Sequence, residues 1–260
     1  MTGADPPSKP PLDNFHPSPG WRLRGYLAFI PALLSVIINL IVLLIMALLM
    51  PKLTRKLELP LIRFWGRVPL AFFGIRVEVH QQHIRTNPGA KILLFNHINI
   101  FDLFVLSATW TQGSSVIYKK EFHNVPIMGR LMKFFGMISV DRHDRGAALK
   151  SVCLAAKEIN EHQSTVVMAP EGTRSSTGKL AAFKKGPFHL ALQTQAPVVP
   201  MIMRGLDVLA PNGTLFPRPG TVRVDYLEEI PTNDWDRTSL HSHIEHVREK
   251  FLLYLPDGTS

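Results

Sequence analysis

The sequence predicts an α/β fold, with a mixed and largely parallel sheet flanked by helices, which follows an N-terminal membrane-anchoring helical segment. Two observations support this prediction. Six short runs rich in Val and Ile, each bounded by turn residues, alternate with helical segments in the second part of the chain. In addition, residues 26–50 contain no charged side chain. Such a run is too long and too apolar on all sides for the core of a small globular protein, so we expect it to insert into a membrane.

The chain divides into three segments. Residues 1–20 contain six prolines and few apolar side chains, which predicts a flexible tail. Residues 21–76 form the predicted membrane anchor, in which an apolar helix over about 26–50 would be about 37 Å long, against a hydrocarbon core of about 30 Å. The rest of the anchor alternates basic side chains with Leu, Phe and Trp, which is typical of an amphipathic segment in the headgroup layer. Residues 77–260 form the predicted α/β domain.

The candidate strands and helices of this domain come from two kinds of pattern. Short β-branched runs that end at turn residues predict strands at 92–95, 116–118, 137–140, 165–169, 198–203 and 222–226. Apolar side chains at helical spacing predict helices at 145–161, from 187 to about 193, and at 239–254. Functional residues in such sheets gather on the loops that follow the strands.

Charge and cysteine content narrow the classes of partner and site. The formal net charge of +9 indicates anionic partners, such as nucleic acid, anionic lipid or phosphorylated small molecules. A hydrophobic fraction of 46% excludes a chain that is disordered as a whole. The single cysteine, Cys153, excludes an internal disulfide framework and a zinc site built from several cysteines. More basic residues follow the apolar run than precede it, which favours a cytoplasmic α/β domain.

The first candidate for chemistry is the pair His97 and Asp102, directly after the strand predicted at 92–95. Histidine is suited to general-base chemistry at neutral pH, and a carboxylate can orient it and stabilise the imidazolium. On one regular helix, residues five apart point about 140° away from each other. The two side chains therefore meet if His97 lies in a turn and Asp102 lies on the helix that follows.

A second polar loop follows the strand predicted at 165–169. Gly172 permits close approach of the backbone to a ligand. The planar guanidinium of Arg174 suits a phosphate, and Thr173 with the loop amides adds donors. Glu171 beside such an anion site is unusual unless it pairs with an arginine or accepts a substrate hydroxyl. The alternative interpretation is a polar turn that contains a local ion pair.

Two further strand ends complete the set of candidates. The strand at 137–140 ends in Asp141-Arg142, which would place another guanidinium at the same edge of the sheet. The strand at 198–203 contains Pro200, which indicates a structural edge or bend. His243 and His246 could share a helix face, but no further ligands follow at matching spacing, so we predict no metal site. No nucleic-acid-binding module occurs in the sequence, so we expect no nucleic-acid partner.

Taken in order, these motifs resemble the lysophosphatidate (1-acyl-sn-glycerol-3-phosphate) acyltransferase family of glycerolipid synthesis. The four family blocks are found here as Asn96-His97-x4-Asp102, residues 136–142, residues 170–174 and Val199-Pro200. The segments 119–121 and 183–186 also look like the family. The resemblance covers roughly residues 77–205, and an N-terminal apolar anchor is usual in the family.

The resemblance implies a membrane-bound enzyme that moves a fatty acyl group from a thioester, acyl-CoA or acyl-ACP, to the free hydroxyl of lysophosphatidate and gives phosphatidate in phospholipid biosynthesis. It implies that His97 is the general base, that Asp102 orients it, and that no nucleophilic Ser or Cys and no cofactor is required. The residues implied to hold the glycerol phosphate are Glu171, Gly172, Thr173, Arg174 and Arg142. Pro200 would be structural, near the acyl or acceptor site. The compact form with one anchor looks bacterial, so we expect the inner membrane, with the catalytic domain cytoplasmic.

Two alternatives remain open at this point. Ile98 and Asn99 stand where the family often has small or hydroxyl residues, so the acceptor is alternatively another lysolipid, a lysophospholipid or lyso-ornithine lipid. A non-enzymatic alternative is a membrane-attached module that binds anionic lipid or nucleic acid through its basic surface. His97 with Asp102 distinguishes the two classes, because binding alone does not need a carboxylate-oriented histidine.

Overall fold

A seven-stranded sheet is the centre of the fold in the computed structural model, which describes residues 20–86, 89–141, 144–175, 179–211 and 214–256. The strands are β1 (Ile75–His80), β2 (Lys91–Phe95), β3 (Ser114–Lys119), β4 (Ile138–Val140), β5 (Thr165–Met168), β6 (Val198–Arg204) and β7 (Gly220–Tyr226). Their order across the sheet is β1-β7-β6-β2-β5-β3-β4. The five strands from β6 to β4 are parallel, whereas β7 is antiparallel to β6 and parallel to β1. The predicted mixed, largely parallel sheet is confirmed.

The helices cover both faces of this sheet. Within the described ranges they are α1 (Trp21–Leu49), α2 (Pro51–Lys56), α3 (Glu58–Phe72), α4 (Gln82–Thr86), α5 (Asp102–Ala108), α6 (Met128–Phe134), α7 (Arg145–His162), α8 (Gly186–Thr194), α9 (Leu206–Leu209) and α10 (Leu240–Leu252). Successive side chains of a strand point to opposite faces. Accordingly Leu93 and Phe95 of β2 join the core under α1, α3 and α5, while Ile92 and Leu94 join the core under α7, α8 and α10.

Strand β1 is an element that the sequence analysis did not predict. It alternates buried or half-buried Ile75, Val77 and Val79 with Arg76 and Glu78, and it pairs with β7 at the edge of the sheet. The strand crosses the predicted boundary between the anchor and the α/β domain at residue 77, and its charged side chains follow directly on the basic segment, so its alternation is not distinct in the sequence.

The apolar helix α1 packs along the domain instead of standing apart from it. Near its start, Ala28 and Ala32 join the core that contains Leu70 of α3. Near its end, Leu43 and Ala47 pack against Trp65 of α3 and Leu131 of α6. The face turned away from the domain exposes large apolar side chains along the whole helix, among them Leu27, Ile38 and Leu49. The segment Leu23–Leu49 is long and apolar enough to cross a membrane, by length and composition.

Helix α3 lies close against α5, and a glycine makes this possible. A Cβ atom added at Gly66 would lie 2.4 Å from the backbone nitrogen of Ala108 and 2.5 Å from the carbonyl oxygen of Phe104. Real Cβ atoms do not approach so closely, so α3 could not keep this position with a larger residue at 66. The predicted amphipathic segment is therefore partly helical and docked on the domain.

The expectation that Pro200 marks an edge of the sheet is wrong. Pro200 lies within β6, which pairs with β2 on one side and with β7 on the other, and it is opposite Leu94. Its carbonyl accepts the N–H of Leu227, so its missing N–H faces the same side of the strand. Strand β7 ends at Tyr226, so the missing N–H falls at the last pair of this ladder, where Leu227 donates to Pro200 and receives no hydrogen bond in return.

Candidate active site

The polar loops after β2 and β5 come together at the carboxyl ends of these two strands. These two strands are parallel neighbours, with Leu94 opposite Met168, so their carboxyl ends lie side by side. His97 follows β2, and Glu171 follows β5. The N–H of Ser175 donates to the carbonyl oxygen of His97 over 2.8 Å, which joins the two loops through their backbones.

His97 and Asp102 form a direct hydrogen bond, with 2.6 Å between His97 Nδ1 and Asp102 Oδ2. His97 lies in the turn after β2, and Asp102 is the first residue of α5, which is the arrangement that their spacing requires. The same carboxylate oxygen accepts the N–H groups of Ile98 (2.6 Å) and Asn99 (3.0 Å). Three donors thus converge on Oδ2, and they fix both the turn and the ring of the histidine.

The two side chains differ in their exposure to solvent. The side chain of Asp102 is 1% exposed, whereas that of His97 is 26% exposed. Burial raises the pKa of Asp102, and the hydrogen bond and the charge of His97, followed by the two backbone N–H groups, oppose this rise. With Nδ1 bonded to the carboxylate, Nε2 is the ring nitrogen that remains to exchange a proton with a bound molecule.

Glu171 also connects the loops, through both of its oxygens. Oε1 accepts the N–H of His97 (3.0 Å), and Oε2 accepts the N–H of Ala181 (2.9 Å). The residue is 2% exposed, and burial raises the pKa of its carboxyl group, while these backbone bonds lower it. The carboxylate therefore anchors the backbone of the histidine turn and forms no ion pair with an arginine among the described residues.

Of the remaining predicted binding residues, some lie on the loop after β5 and others do not. Gly172 has a φ of +73°, a conformation that glycine adopts without strain. Thr173 and Arg174 follow it on the loop with exposed side chains, and Arg174 forms no ion pair with any residue that the structure describes. Arg142 lies outside the described residues. Pro200 lies inside the sheet and not on these loops.

Two buried asparagines position the histidine turn, and the sequence analysis did not assign them this role. Asn96 exchanges two hydrogen bonds with the backbone of Met203, from Nδ2 to the carbonyl (2.8 Å) and from the N–H to Oδ1 (2.7 Å). Asn99 Nδ2 donates to the carbonyl oxygens of Leu206 and Ala210, which ties the turn to α9. Both side chains are 2% exposed. Their occurrence directly after an apolar strand is the sequence signal that could have identified them, since buried amides need fixed partners.

An apolar cavity of about 100 Å³ lies against α5, the helix that begins with Asp102. Leu103, Leu106 and Ser107 of α5 line it, together with Trp110, which follows the end of the helix. Its other walls are the helices α1, α3 and α6 and the strand β3, with Leu43, Trp65 and Leu131 among the lining side chains. The arrangement combines an oriented base, an exposed arginine and space for an apolar chain. Within the described ranges, no group of three or more His, Cys, Asp or Glu side chains is placed to hold a metal ion.

Comparison with known proteins places the chain in a family. A family model described as Acyltransferase matches residues 76–204. The 1-acyl-sn-glycerol-3-phosphate acyltransferase of Limnanthes alba is 33% identical over 192 residues, which are 74% of this chain and 67% of that protein. The enzyme of the same name from Cocos nucifera is 32% identical over 167 residues, 64% of this chain and 54% of its own length. The chain thus spans between about half and two thirds of these two relatives.

A solved structure also shares the fold. The crystal structure of the 1-acyl-sn-glycerophosphate (LPA) acyltransferase, PlsC, from Thermotoga maritima superposes with a TM-score of 0.74 and 22% sequence identity. The match covers 88% of this chain and 95% of that chain. The identity and coverage of the Limnanthes alba protein are sufficient to show common descent, and the chain belongs to the 1-acyl-sn-glycerol-3-phosphate acyltransferase family.

Proposed function

We propose that the protein transfers a fatty acyl group from a thioester to the free hydroxyl of lysophosphatidate and so produces phosphatidate. The observation that carries this proposal is the 2.6 Å contact between His97 and the buried Asp102, the first residue of a helix that also lines an apolar cavity. A protein that only binds anionic lipids needs basic side chains, but it does not need a carboxylate that orients a histidine. The names of the relatives support the same reaction.

In the proposed step, His97 acts as the general base. The hydroxyl oxygen of the acceptor attacks the carbonyl carbon of the thioester, so that a C–O bond forms and the C–S bond breaks. The proton of the hydroxyl passes to His97 Nε2 and then to the thiolate that leaves. Asp102 accepts from Nδ1–H and stabilises the imidazolium, so no covalent intermediate with the protein and no cofactor are needed.

The loop after β5 is the proposed binding site for the glycerol phosphate. Arg174 offers an exposed guanidinium on this loop, and Thr173 lies beside it. The conformation of Gly172 lets the backbone turn close to a ligand. We assign Arg142 to the same phosphate from its place in the sequence, after β4. Glu171 acts as a positioning residue, because both its oxygens already accept backbone N–H groups.

The apolar cavity along α5 is the proposed site of the acyl chain. Its walls are almost entirely apolar, and Leu103, the residue after Asp102, is one of the residues that line it. An acyl chain that enters it would hold the thioester carbonyl near His97, which lowers the entropic part of the barrier. Acyl-CoA and acyl-ACP both present such a chain, and either is a suitable donor.

We infer that the protein associates with one leaflet of a membrane and that α1 does not cross the bilayer. Because α1 packs against α3 and α6, a helix that spanned the bilayer would bring these elements to the same depth. Arg63 and Arg67 of α3 would then enter the hydrocarbon, at a cost of about 2.5–3.5 kcal/mol for each charge. With α1 parallel to the membrane plane, its exposed apolar face meets lipid and the arginines stay near the headgroups. The inner membrane of a bacterium, with the α/β domain in the cytoplasm, is the proposed location.

Transfer of a labelled acyl group from acyl-CoA to lysophosphatidate by the detergent-solubilised protein tests the reaction. The His97→Ala variant should lose on the order of 10²- to 10⁴-fold in rate. His241→Ala, which removes an exposed histidine of α10, is the matched control and should retain its rate. Full activity of His97→Ala would refute the assignment of the base. Product with another lysolipid or with acyl-ACP alone would correct the substrate and keep the chemistry.

A further inference from the structure

Three arginines gather at the amino ends of the parallel strands, which is the end of the sheet opposite His97. Arg63 and Arg67 of α3 line a crevice of about 320 Å³, and Arg63 also lines a second crevice of about 300 Å³ together with Arg85 of α4. We refer to these three residues as the arginine cluster. Gly89, which precedes β2, and Thr165, the first residue of β5, also line the second crevice. The cluster therefore lies at the amino ends of the parallel strands, whereas the histidine turn lies at their carboxyl ends.

The arginine cluster lacks a compensating acidic group. Within the described parts of the chain, none of the three arginines forms an ion pair with Asp or Glu. Burial lowers the pKa of Arg63, and the charges of Arg85 and Arg67 lower it further. Glu58, at the start of α3, hydrogen-bonds instead to the indole of Trp110 over 3.3 Å. Like charges held together in this way repel one another unless an anion joins them.

Part of the cluster has a structural role, but this role leaves most of its donors free for a ligand. Arg63 Nε donates to the carbonyl oxygen of Trp110 (2.8 Å), and Arg85 donates to that of Thr109 (3.1 Å), so both satisfy carbonyl groups at the end of α5. A guanidinium has five N–H donors, and these bonds use one donor of each arginine. Arg85 Nε is buried and has no partner. Arg67 takes no part in this capping and is exposed.

The surface beside the cluster indicates where the anion comes from. Phe64 and Phe72 of α3 are 56% and 43% exposed, and Pro60 and Arg67 are exposed on the same helix. Positions 60, 64, 67 and 71 follow one another at intervals of three and four residues, so they share a face of the helix. A face that presents an aromatic ring beside an arginine suits the boundary between acyl chains and headgroups.

We propose that the arginine cluster binds the phosphate group of an anionic membrane phospholipid, at a site separate from the acyl-transfer site. The guanidinium groups would hold the phosphate where the two crevices meet at Arg63, while Phe64 would contact the acyl chains of the same lipid. This proposal rests on the membrane association proposed above and is independent of the reaction.

Thermal unfolding of the full chain in a nonionic detergent tests this site. The ligands are dioctanoyl-phosphatidylglycerol, which is anionic, dioctanoyl-phosphatidylcholine, which is zwitterionic, and inorganic phosphate. At a hundred-fold excess over the dissociation constant, phosphatidylglycerol should raise the melting temperature on the order of 5 °C, and phosphatidylcholine should not. Arg67→Gln and Arg63→Gln should abolish this rise. Arg67→Gln is the primary variant, because Arg63 also caps α5.

Two control variants separate this site from other basic groups. Arg174→Gln removes the exposed arginine of the acyl-transfer loop, and Arg237→Gln removes an exposed arginine before α10. Both should retain the rise with phosphatidylglycerol. A rise that survives in Arg67→Gln and Arg63→Gln, or an equal rise with phosphatidylcholine, would overturn the proposal. An equal rise with inorganic phosphate would overturn the lipid as the source. No rise at all, in a protein that still floats with phosphatidylcholine vesicles, would overturn the site and leave membrane association intact.

Discussion

Replacement of Asp102 by Asn separates the charge of this residue from its role in shaping the turn. Asn has nearly the same shape as Asp, and its carbonyl oxygen can take the place of Oδ2, which accepts from His97, Ile98 and Asn99. Its amide nitrogen then takes the place of Oδ1, which is buried and has no partner. The substitution therefore keeps three hydrogen bonds and removes one negative charge.

The loss of this charge should reduce the rate strongly. When His97 accepts the proton of the acceptor hydroxyl, it becomes an imidazolium ion whose Nδ1–H points at Asp102 from 2.6 Å. The carboxylate is 1% exposed, so water does not screen this interaction. General-base catalysis is worth on the order of 10²- to 10⁴-fold, which corresponds to about 3–5 kcal/mol. We expect kcat to fall within this range, with a small change in KM.

The stability of the same variant should depend on pH in a direction that the burial of Asp102 determines. Burial raises the pKa of Asp102 in the folded protein above its value in the unfolded chain. This carboxyl group therefore stabilises the fold below its unfolded pKa, and that contribution is lost as the pH rises through the folded pKa. Asn carries no charge and does not undergo this loss. The two amide N–H groups at the position of Oδ1 have no acceptor, which lowers the stability of Asp102→Asn at every pH. The melting temperature of Asp102→Asn relative to the native protein should therefore be higher at neutral than at acidic pH.

The assay combines acyl transfer to lysophosphatidate with thermal unfolding in the same detergent. Asp102→Ala is the comparison, because it removes the charge together with all three hydrogen bonds. Each backbone N–H left without a partner in the interior costs about 1–3 kcal/mol, so this variant should be both inactive and less stable. Near-native activity of a folded Asp102→Asn would refute the reasoning, since the geometry would then suffice without the charge.

Three further predictions follow from other contacts. Glu171→Gln offers one acceptor for two backbone N–H groups, so it should lower the stability by about 1–3 kcal/mol and reduce kcat, which thermal unfolding and acyl-transfer kinetics will measure. Gly66→Ala should lower the melting temperature by several degrees, because its Cβ would meet the backbone of α5; an unchanged melting temperature would contradict the close packing. Deletion of residues 1–49 should abolish acyl transfer even with short-chain substrates that need no membrane, because α1 forms one wall of the cavity.

Much of the sheet and the centre of the site could be predicted from the sequence because local signals specify them. The β-branched run before His97 is a fully buried strand, and the spacing to Asp102 requires a turn followed by a helix. Pro200 was misplaced because proline disfavours a central strand in general. The sheet tolerates a proline at this position of β6 because the pairing with β7 ends there, and where that pairing ends depends on the tertiary structure.

The long-range parts of the site have no comparable local signal. Asn99 reaches the carbonyl oxygens of Leu206 and Ala210, more than a hundred residues along the chain, and one residue type does not specify such a partner. Glu171 was expected to meet an arginine or a substrate hydroxyl, yet its partners are backbone N–H groups of distant segments. Backbone donors are present at almost every residue, so sequence alone does not indicate which of them a carboxylate will find.

The anchor and the catalytic domain are one unit, because the same helices serve both. The inner face of α1 contributes Leu40 and Leu43 to the apolar cavity, while its outer face exposes Ile38 and Ile41. Lipid on one side and the cavity on the other are both apolar, so an all-round hydrophobic helix satisfies both surfaces at once. This explains why α1 lacks the polar stripe of an ordinary surface helix. With α1 in the proposed place at the membrane surface, one helix separates the cavity from lipid.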